Sequence, residues 1–432
     1  VIEFIMGKRL AAKPAFCARD LFDPGEGNLT NCCDIVKIKK CKRACLTAAG
    51  MVSTTAMKLS VRCSSLLLPA LAAVLPPCLV RAQTTVTTTP VGYVQLACTG
   101  SADTVVSVPF MQPAAYAGMV QSVSANVVTI SGTPAFTSSQ YIYSGSGSNT
   151  YFAMFGPAAS GSDPKTGACY TITANGTNTL TLALNGDTIS SVPAGSAISI
   201  VPYWTISTVF PASNEISVNP SGSFEKSTST HLNNLKTQIL IPDYGAAGTD
   251  ISTANRYYFY NGAWVLFGDT NPAHVAGDDV LINNGYFLVR NNNAPTTTLT
   301  TMGTVVTGTV TVPLSTEAAG YQDNPVSLAR PVAYTLNETG LGGSAAFTTS
   351  TTTHLNNLAD QLLLYSGSST TMNPSLTTLY YYYQGHWAMF SDPYGPSTDH
   401  GSDPINAGTG FVIRKAGNLT GATVFWQNAS IY

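Results

Sequence analysis

The 432-residue sequence predicts an all-β protein made of tandem β-sandwich or small β-barrel units, each repeat with one short amphipathic helix, behind an N-terminal signal peptide. Three observations predict it. Thr- and Val-rich segments alternate apolar and polar residues between clusters of Gly, Asn, Ser and Pro, the period of half-buried strands. Two aromatic motifs recur at one fixed spacing. And the composition breaks sharply near residue 82.

The break comes first along the chain. Residues 1–56 hold Cys17, Cys32, Cys33, Cys41 and Cys45 beside a run of Lys and Arg from Lys37 to Arg43. That spacing fits poorly with paired zinc ligands. Met57-Lys58 with Arg62, then an apolar run from Leu66 to Leu79, then Val80-Arg81-Ala82, match the three-part pattern of a secretory signal peptide. The run is broken by Pro69, Pro76 and Pro77 and falls short of the roughly 20 residues a spanning helix needs. Translation from Met57 or Met51 would leave 1–56 as an upstream extension. The mature chain would then be exported, to the periplasm, the outer surface or the medium, with no transmembrane segment.

Beyond Ala82 there are 8 Lys and Arg against 17 Asp and Glu, a balance of 8 − 17 = −9. That excess of acid argues against nucleic-acid binding, which needs clustered cations to displace counterions. Only Cys98 and Cys169 remain in this part. In an exported chain they can pair across a loop of about 70 residues or stay as two buried thiols.

Repeats organise the rest of the chain. Thr230-His231-Leu232-Asn233-Asn234-Leu235 recurs as Thr353-His354-Leu355-Asn356-Asn357-Leu358, 123 residues on. Tyr257-Tyr258-Phe259-Tyr260-Asn261-Gly262-Ala263-Trp264 recurs as Tyr380-Tyr381-Tyr382-Tyr383-Gln384-Gly385-His386-Trp387 at the same spacing. Two motifs at one offset indicate a duplicated unit. The expected segments are an N-terminal β domain over 83–204, one repeat over 205–315 and a second over 326–432. Tyr151-Phe152-Ala153-Met154-Phe155 and Gly161-Ser162-Asp163-Pro164 suggest that 83–204 is a diverged third copy.

In the first motif Leu232, Leu235, Ile239 and Leu240 fall at helical spacing, as do Leu355, Leu358, Leu362 and Leu363. This predicts the amphipathic helix, with Thr230 and Thr353 as N-caps. In the second, Asn261-Gly262 predicts a two-residue type I′ hairpin that sets Phe259 opposite Trp264. The other copy sets Tyr382 opposite Trp387.

Candidate sites are few. Loops after the hairpins carry Asp269 and Asp279 in one copy and Asp392, Asp399 and Asp403, with His400, in the other. Carboxylates among Gly, Ser and Asn can wrap Ca²⁺, or can be solvated loop acids and caps. Trp264 and Trp387 with their neighbouring tyrosines can stack on sugar rings, or can fill the core. His231 and His354, at repeat-equivalent positions, are a duplicated ligand pair or structural residues. No nucleophile elbow, zinc-protease helix, phosphate loop or dinucleotide fingerprint is present, so no enzyme is expected.

The mature chain resembles an uncharacterised family of secreted proteins from environmental bacteria of the verrucomicrobial type. The resemblance runs from Thr87-Thr88-Thr89-Pro90-Val91-Gly92-Tyr93 through Ile200-Val201-Pro202-Tyr203-Trp204-Thr205 to the His-Leu-Asn-Asn-Leu and Gly-x-Trp segments. It implies export and a shared fold, and no activity. The expectation is a secreted or cell-surface structural or adhesive protein. Its partners would be copies of itself or an envelope or extracellular polysaccharide. A glycan- or calcium-binding module is the alternative.

Overall fold

The computed structural model describes residues 89–159, 163–214, 224–249, 251–292, 294–365 and 371–432. The expected extension 1–56 and signal peptide 57–82 lie outside these residues. What is described is mostly β-strand, in several sheets and one closed six-stranded barrel. Among the described residues no helix is long and apolar enough to cross a membrane.

The hairpins form where the turn residues dictate. Asn261 and Gly262 adopt φ of +50° and +84°, the left-handed pair that a type I′ turn needs. They join Thr253–Tyr260 to Ala263–Leu266 with Phe259 opposite Trp264 and Tyr260 opposite Ala263. Gln384 and Gly385 do the same at +47° and +88°. They join Leu376–Tyr383 to His386–Met389, with Tyr382 opposite Trp387.

Each hairpin is the edge of a five-stranded antiparallel sheet. The first sheet runs Ala263–Leu266, Thr253–Tyr260, Thr237–Pro242, Phe287–Asn291, Asp103–Val106. The second runs His386–Met389, Leu376–Tyr383, Gln361–Tyr365, Phe411–Ala416, Tyr321–Val326. The two orders match strand for strand. The registers match too: Gln238 faces Arg290 as Gln361 faces Arg414, and Arg290 faces Asp103 as Arg414 faces Asp323.

A two-stranded ribbon covers one face of each sheet. Val91–Cys98 with Thr297–Thr304 closes a core around Phe210, Phe224, Ile239, Trp264 and Val289. Val310–Leu314 with Val424–Asn428 closes another around Phe347, Leu362, Trp387, Phe411 and Trp426. The opposite faces meet each other: Tyr286, Leu288 and Val105 of the first unit share a cluster with Leu363, Val412 and Tyr365 of the second.

Reciprocal backbone bonds lock this junction. Asp103 N–H donates to Thr371 O at 3.1 Å, and Asp323 N–H donates to Gly248 O at 2.8 Å. Ser107 N–H donates to Gly408 O and Ser327 N–H to Asn284 O, at 2.8 and 2.7 Å. Each unit thus lends a loop to the edge strand of the other, the mutual pattern of a twofold interface.

The barrel is Tyr116–Ser124, Val127–Ile130, Thr179–Leu182, Cys169–Asn175, Tyr151–Ala158 and Ser196–Pro202, in that circular order. Val120, Val128, Phe155, Leu180 and Ile198 fill it. It stands in the chain between Asp103–Val106 and the later strands of the first sheet. The segment 83–204 is therefore not one block: its first two strands belong to the first sheet and ribbon, and the rest is barrel. Likewise 205–315 and 326–432 each omit strands that pair within their sheets and ribbons. Tyr151-Phe152-Ala153-Met154-Phe155 lies in a barrel strand, in a sheet of different order from that of Trp387.

The expected amphipathic helices are not formed. Leu232–Asn234 and Leu355–Asn357 are single 3₁₀ turns, and Thr237–Pro242 and Gln361–Tyr365 are central strands. A central strand paired on both edges and covered on both faces buries consecutive apolar residues, so Ile239-Leu240 and Leu362-Leu363 mimic part of a helical stripe. Leu232 and Leu355, needed to complete that stripe, are exposed. The turns are capped at His231 and His354 without a side-chain bond, not at Thr230 and Thr353.

Candidate functional site

The loop acids of the two units converge on histidines. In the first unit, strand Thr253–Tyr260 places Tyr257, whose hydroxyl donates to Asp279 Oδ2 at 2.8 Å. His274 bridges Asp279 Oδ1 at 2.8 Å and Asp269 Oδ2 at 2.5 Å through its two ring nitrogens. In the second unit Tyr380 donates to Asp403 Oδ2 at 2.8 Å, and His400 bridges Asp403 at 2.9 Å and Asp392 at 3.2 Å. Asp399 stands apart, accepting from Gly401 N–H at 2.8 Å.

Both ring nitrogens of each histidine face carboxylates, so the imidazolium form donates twice and the loop is clamped to the sheet. The bonds that His274 donates to Asp279 and Asp269 hold its pKa above the ordinary value. Burial alone would lower that of His400, but Asp403 and Asp392 outweigh it and raise it. A histidine held this way has no free lone pair for a metal or for base catalysis. Four of the five acids named as possible calcium ligands are already engaged by the two histidines. Among the described residues no group of three or more metal-type side chains is arranged to hold an ion.

These raised pKa values set the sign of the pH dependence. A pKa raised on folding contributes stability that is complete below the unfolded value of about 6.5 and is lost as pH rises through the folded value. Melting temperature is expected to fall from about pH 6.5 upward. His274→Gln with His400→Gln should flatten that slope; a wild-type slope unchanged in the double variant would contradict the clamps.

Trp264 and Trp387 do not offer rings to a sugar. Both are buried, with relative exposures of 7% and 0%. Trp264 packs on Phe210, Phe224 and Phe259 and donates Nε1–H to Phe210 O at 3.0 Å; Trp387 packs on Phe347 and Tyr382. The hairpin register that sets each opposite an aromatic also points it under the ribbon. Cys98 and Cys169 are free thiols. Cys98 lies in the first core and Cys169 at the edge of the second, so the pairing left open by the sequence is not made. Burial pushes each thiol up to about 12, which keeps both protonated and poorly reactive.

A concavity lies beside these elements, and apart from Cys169 and Tyr203 its residues stand outside the segments singled out in the sequence. A cleft of about 560 Å³ opens where the barrel, the first unit and the second ribbon meet. The barrel side contributes Tyr170, Tyr203, Asn185 and Asp187; the segment 280–285, which opens with the short strand Val280–Leu281, contributes Val280, Ile282 and Asn283; the ribbon side contributes Ser315 and Phe425. Its size is that of ordinary ligand pockets, roughly 300–1,000 Å³, and junctions of this kind are where such pockets form.

Among the described residues, Asp187 carries the only charge in the lining. Lys165 Nζ lies 2.6 Å from both its oxygens, Tyr170 Oη donates at 2.5 Å and Thr188 N–H at 2.7 Å. Burial alone would raise its pKa, but Lys165 and Tyr170 bring it below the ordinary value. The same Lys165 ammonium sits 4.5 Å over the Phe425 ring. The charge is thus neutralised within the wall. Asn283 differs: its Nδ2 is buried and has no hydrogen-bond partner.

Compared with known proteins, the chain matches no family model, no curated protein and no solved structure.

Proposed function

We propose that this is a secreted or cell-surface protein with a structural or adhesive role and no covalent chemistry of its own. The reading rests on one observation above others: two sheets of equal strand order clasp each other through reciprocal loop-to-edge bonds. We read them as copies of one duplicated unit, fused into an internal pair, with the barrel inserted into the first copy. A frame of this kind presents loops and ribbons rigidly. Its conspicuous His–Asp clusters close on themselves, as loop clamps do and as catalytic bases do not.

The signal-peptide pattern over 57–82 and the resemblance to a secreted family support export. The ribbons support assembly, since Val91–Cys98 and Thr297–Thr304 form a sheet of only two strands and Met302 is exposed on it. Fractionation of the native host, with size-exclusion chromatography and electron microscopy of the exported protein, tests this. The expected result is surface or secreted protein in ordered assemblies. A cytoplasmic protein that stays strictly monomeric would refute it.

A further inference from the structure

We infer that the cleft between the barrel and the two units binds an uncharged carbohydrate chain, an assignment that rests on the adhesive reading above. The chemistry of the walls selects the ligand class. Asp187 is held by Lys165 and Tyr170, so neither a cation nor an anion finds a free countercharge there. Phosphorylated ligands and acidic polysaccharides are disfavoured on the same ground.

A purely hydrocarbon ligand is disfavoured by the polar part of the lining. Asn283 and Asn284 line the cleft with neutral amide side chains. Asn185 and Ser315 also line it, both exposed and with polar side chains. Between these stand apolar surfaces: Val280 and Ile282 are exposed at 38% and 50%, and Phe425 is covered on its barrel side by the Lys165 ammonium. Neutral groups that donate and accept, interleaved with flat apolar surface, match a sugar ring, which carries hydroxyls on its rim and C–H groups on its faces.

The test is affinity electrophoresis and titration calorimetry of the exported full chain. The probes are soluble neutral polysaccharides (a glucan, a xylan and a mannan) and two acidic ones, alginate and polygalacturonate. At least one neutral polymer is expected to retard the wild type, and the acidic polymers are not. Ser315→Arg places a long cation at an exposed lining position and should weaken binding at least tenfold with an unchanged melting temperature.

No retardation by any neutral polymer would overturn the assignment, as would retardation undiminished in Ser315→Arg or stronger retardation by the acidic polymers. Assembly of the same samples is read separately by size exclusion. Assemblies that bind no polysaccharide refute the cleft and leave the structural role standing. A monomer that binds through the cleft supports the cleft and refutes assembly.

Discussion

Replacing Lys415 with Asn is expected to destabilise the protein by about 3–5 kcal/mol, and adding Asp360→Thr to the same chain is expected to restore most of that loss. Lys415 Nζ is buried against Asp360 and Ala346 O. Asp360, with 0% exposure, also accepts from the backbone N–H groups of Thr348 and Ala416. Removing the ammonium alone leaves a buried carboxylate without its countercharge, the costly way to break such a pair.

The equivalent positions of the first sheet show the remedy. There Thr237 and Asn291 stand in place of Asp360 and Lys415, and Thr237 Oγ1 donates to Asn291 Oδ1 at 2.8 Å. The double variant Asp360→Thr, Lys415→Asn copies a neutral pair that the protein already uses. Urea unfolding of wild type, both single variants and the double closes the cycle. Strictly additive losses would mean that the two sites are not equivalent, or that the pair does not act as a unit.

The second large effect is expected at Arg330. Arg330 has 0% exposure and, among the described residues, no ion pair with a carboxylate. It donates instead to Asn428 Oδ1 at 3.0 Å and to the carbonyls of Val306, Gly308, Asn428 and Ala429 at 2.5–3.2 Å. One side chain therefore ties the 306–308 segment to the second ribbon's last strand. Burial pulls its pKa below the ordinary value, yet arginine stays charged at any ordinary pH.

Arg330→Met fills much of the volume and strands several buried acceptors. The expected loss is about 3–5 kcal/mol, a large share of a total stability of roughly 5–15 kcal/mol. Arg330→Lys keeps the charge with three donors in place of five and should fall between. Denaturant midpoints check this; a loss below about 0.5 kcal/mol for Arg330→Met, the scale of an ordinary surface change, would contradict it.

How much the sequence discloses depends on how local the cause is. The two hairpins are legible because Asn261-Gly262 and the aromatic runs beside it act over a few residues. The helical reading fails because Leu232, Leu235, Ile239 and Leu240 fit a helical period by coincidence. Tertiary pairing on both edges makes 237–242 a strand instead.

The inserted barrel is hidden for a different reason. Asp103 and Asp323 occupy one position of the two sheets, but they are 220 residues apart, while the later motifs are 123 apart. A search at one offset misses the first pair. The candidate acids stand out in the sequence, as does His400 beside them, but His274 does not, because nothing linear says that Asp269 and Asp279 reach the same ring. The cleft is invisible for the same reason. Its walls come from residues as distant as Tyr170, Asn283 and Phe425, and none of them belongs to a motif.

The most direct measurement is a crystal structure of the full chain in which the two sheets are superposed. Strands 103–106, 237–242, 253–266 and 287–291 should overlay 321–326, 361–365, 376–389 and 411–416, with the indole of Trp264 falling on that of Trp387 and each sheet gripping a loop of the other. Sheets of different strand order, or sheets that face solvent where Leu288 and Val412 share one apolar cluster, would contradict it.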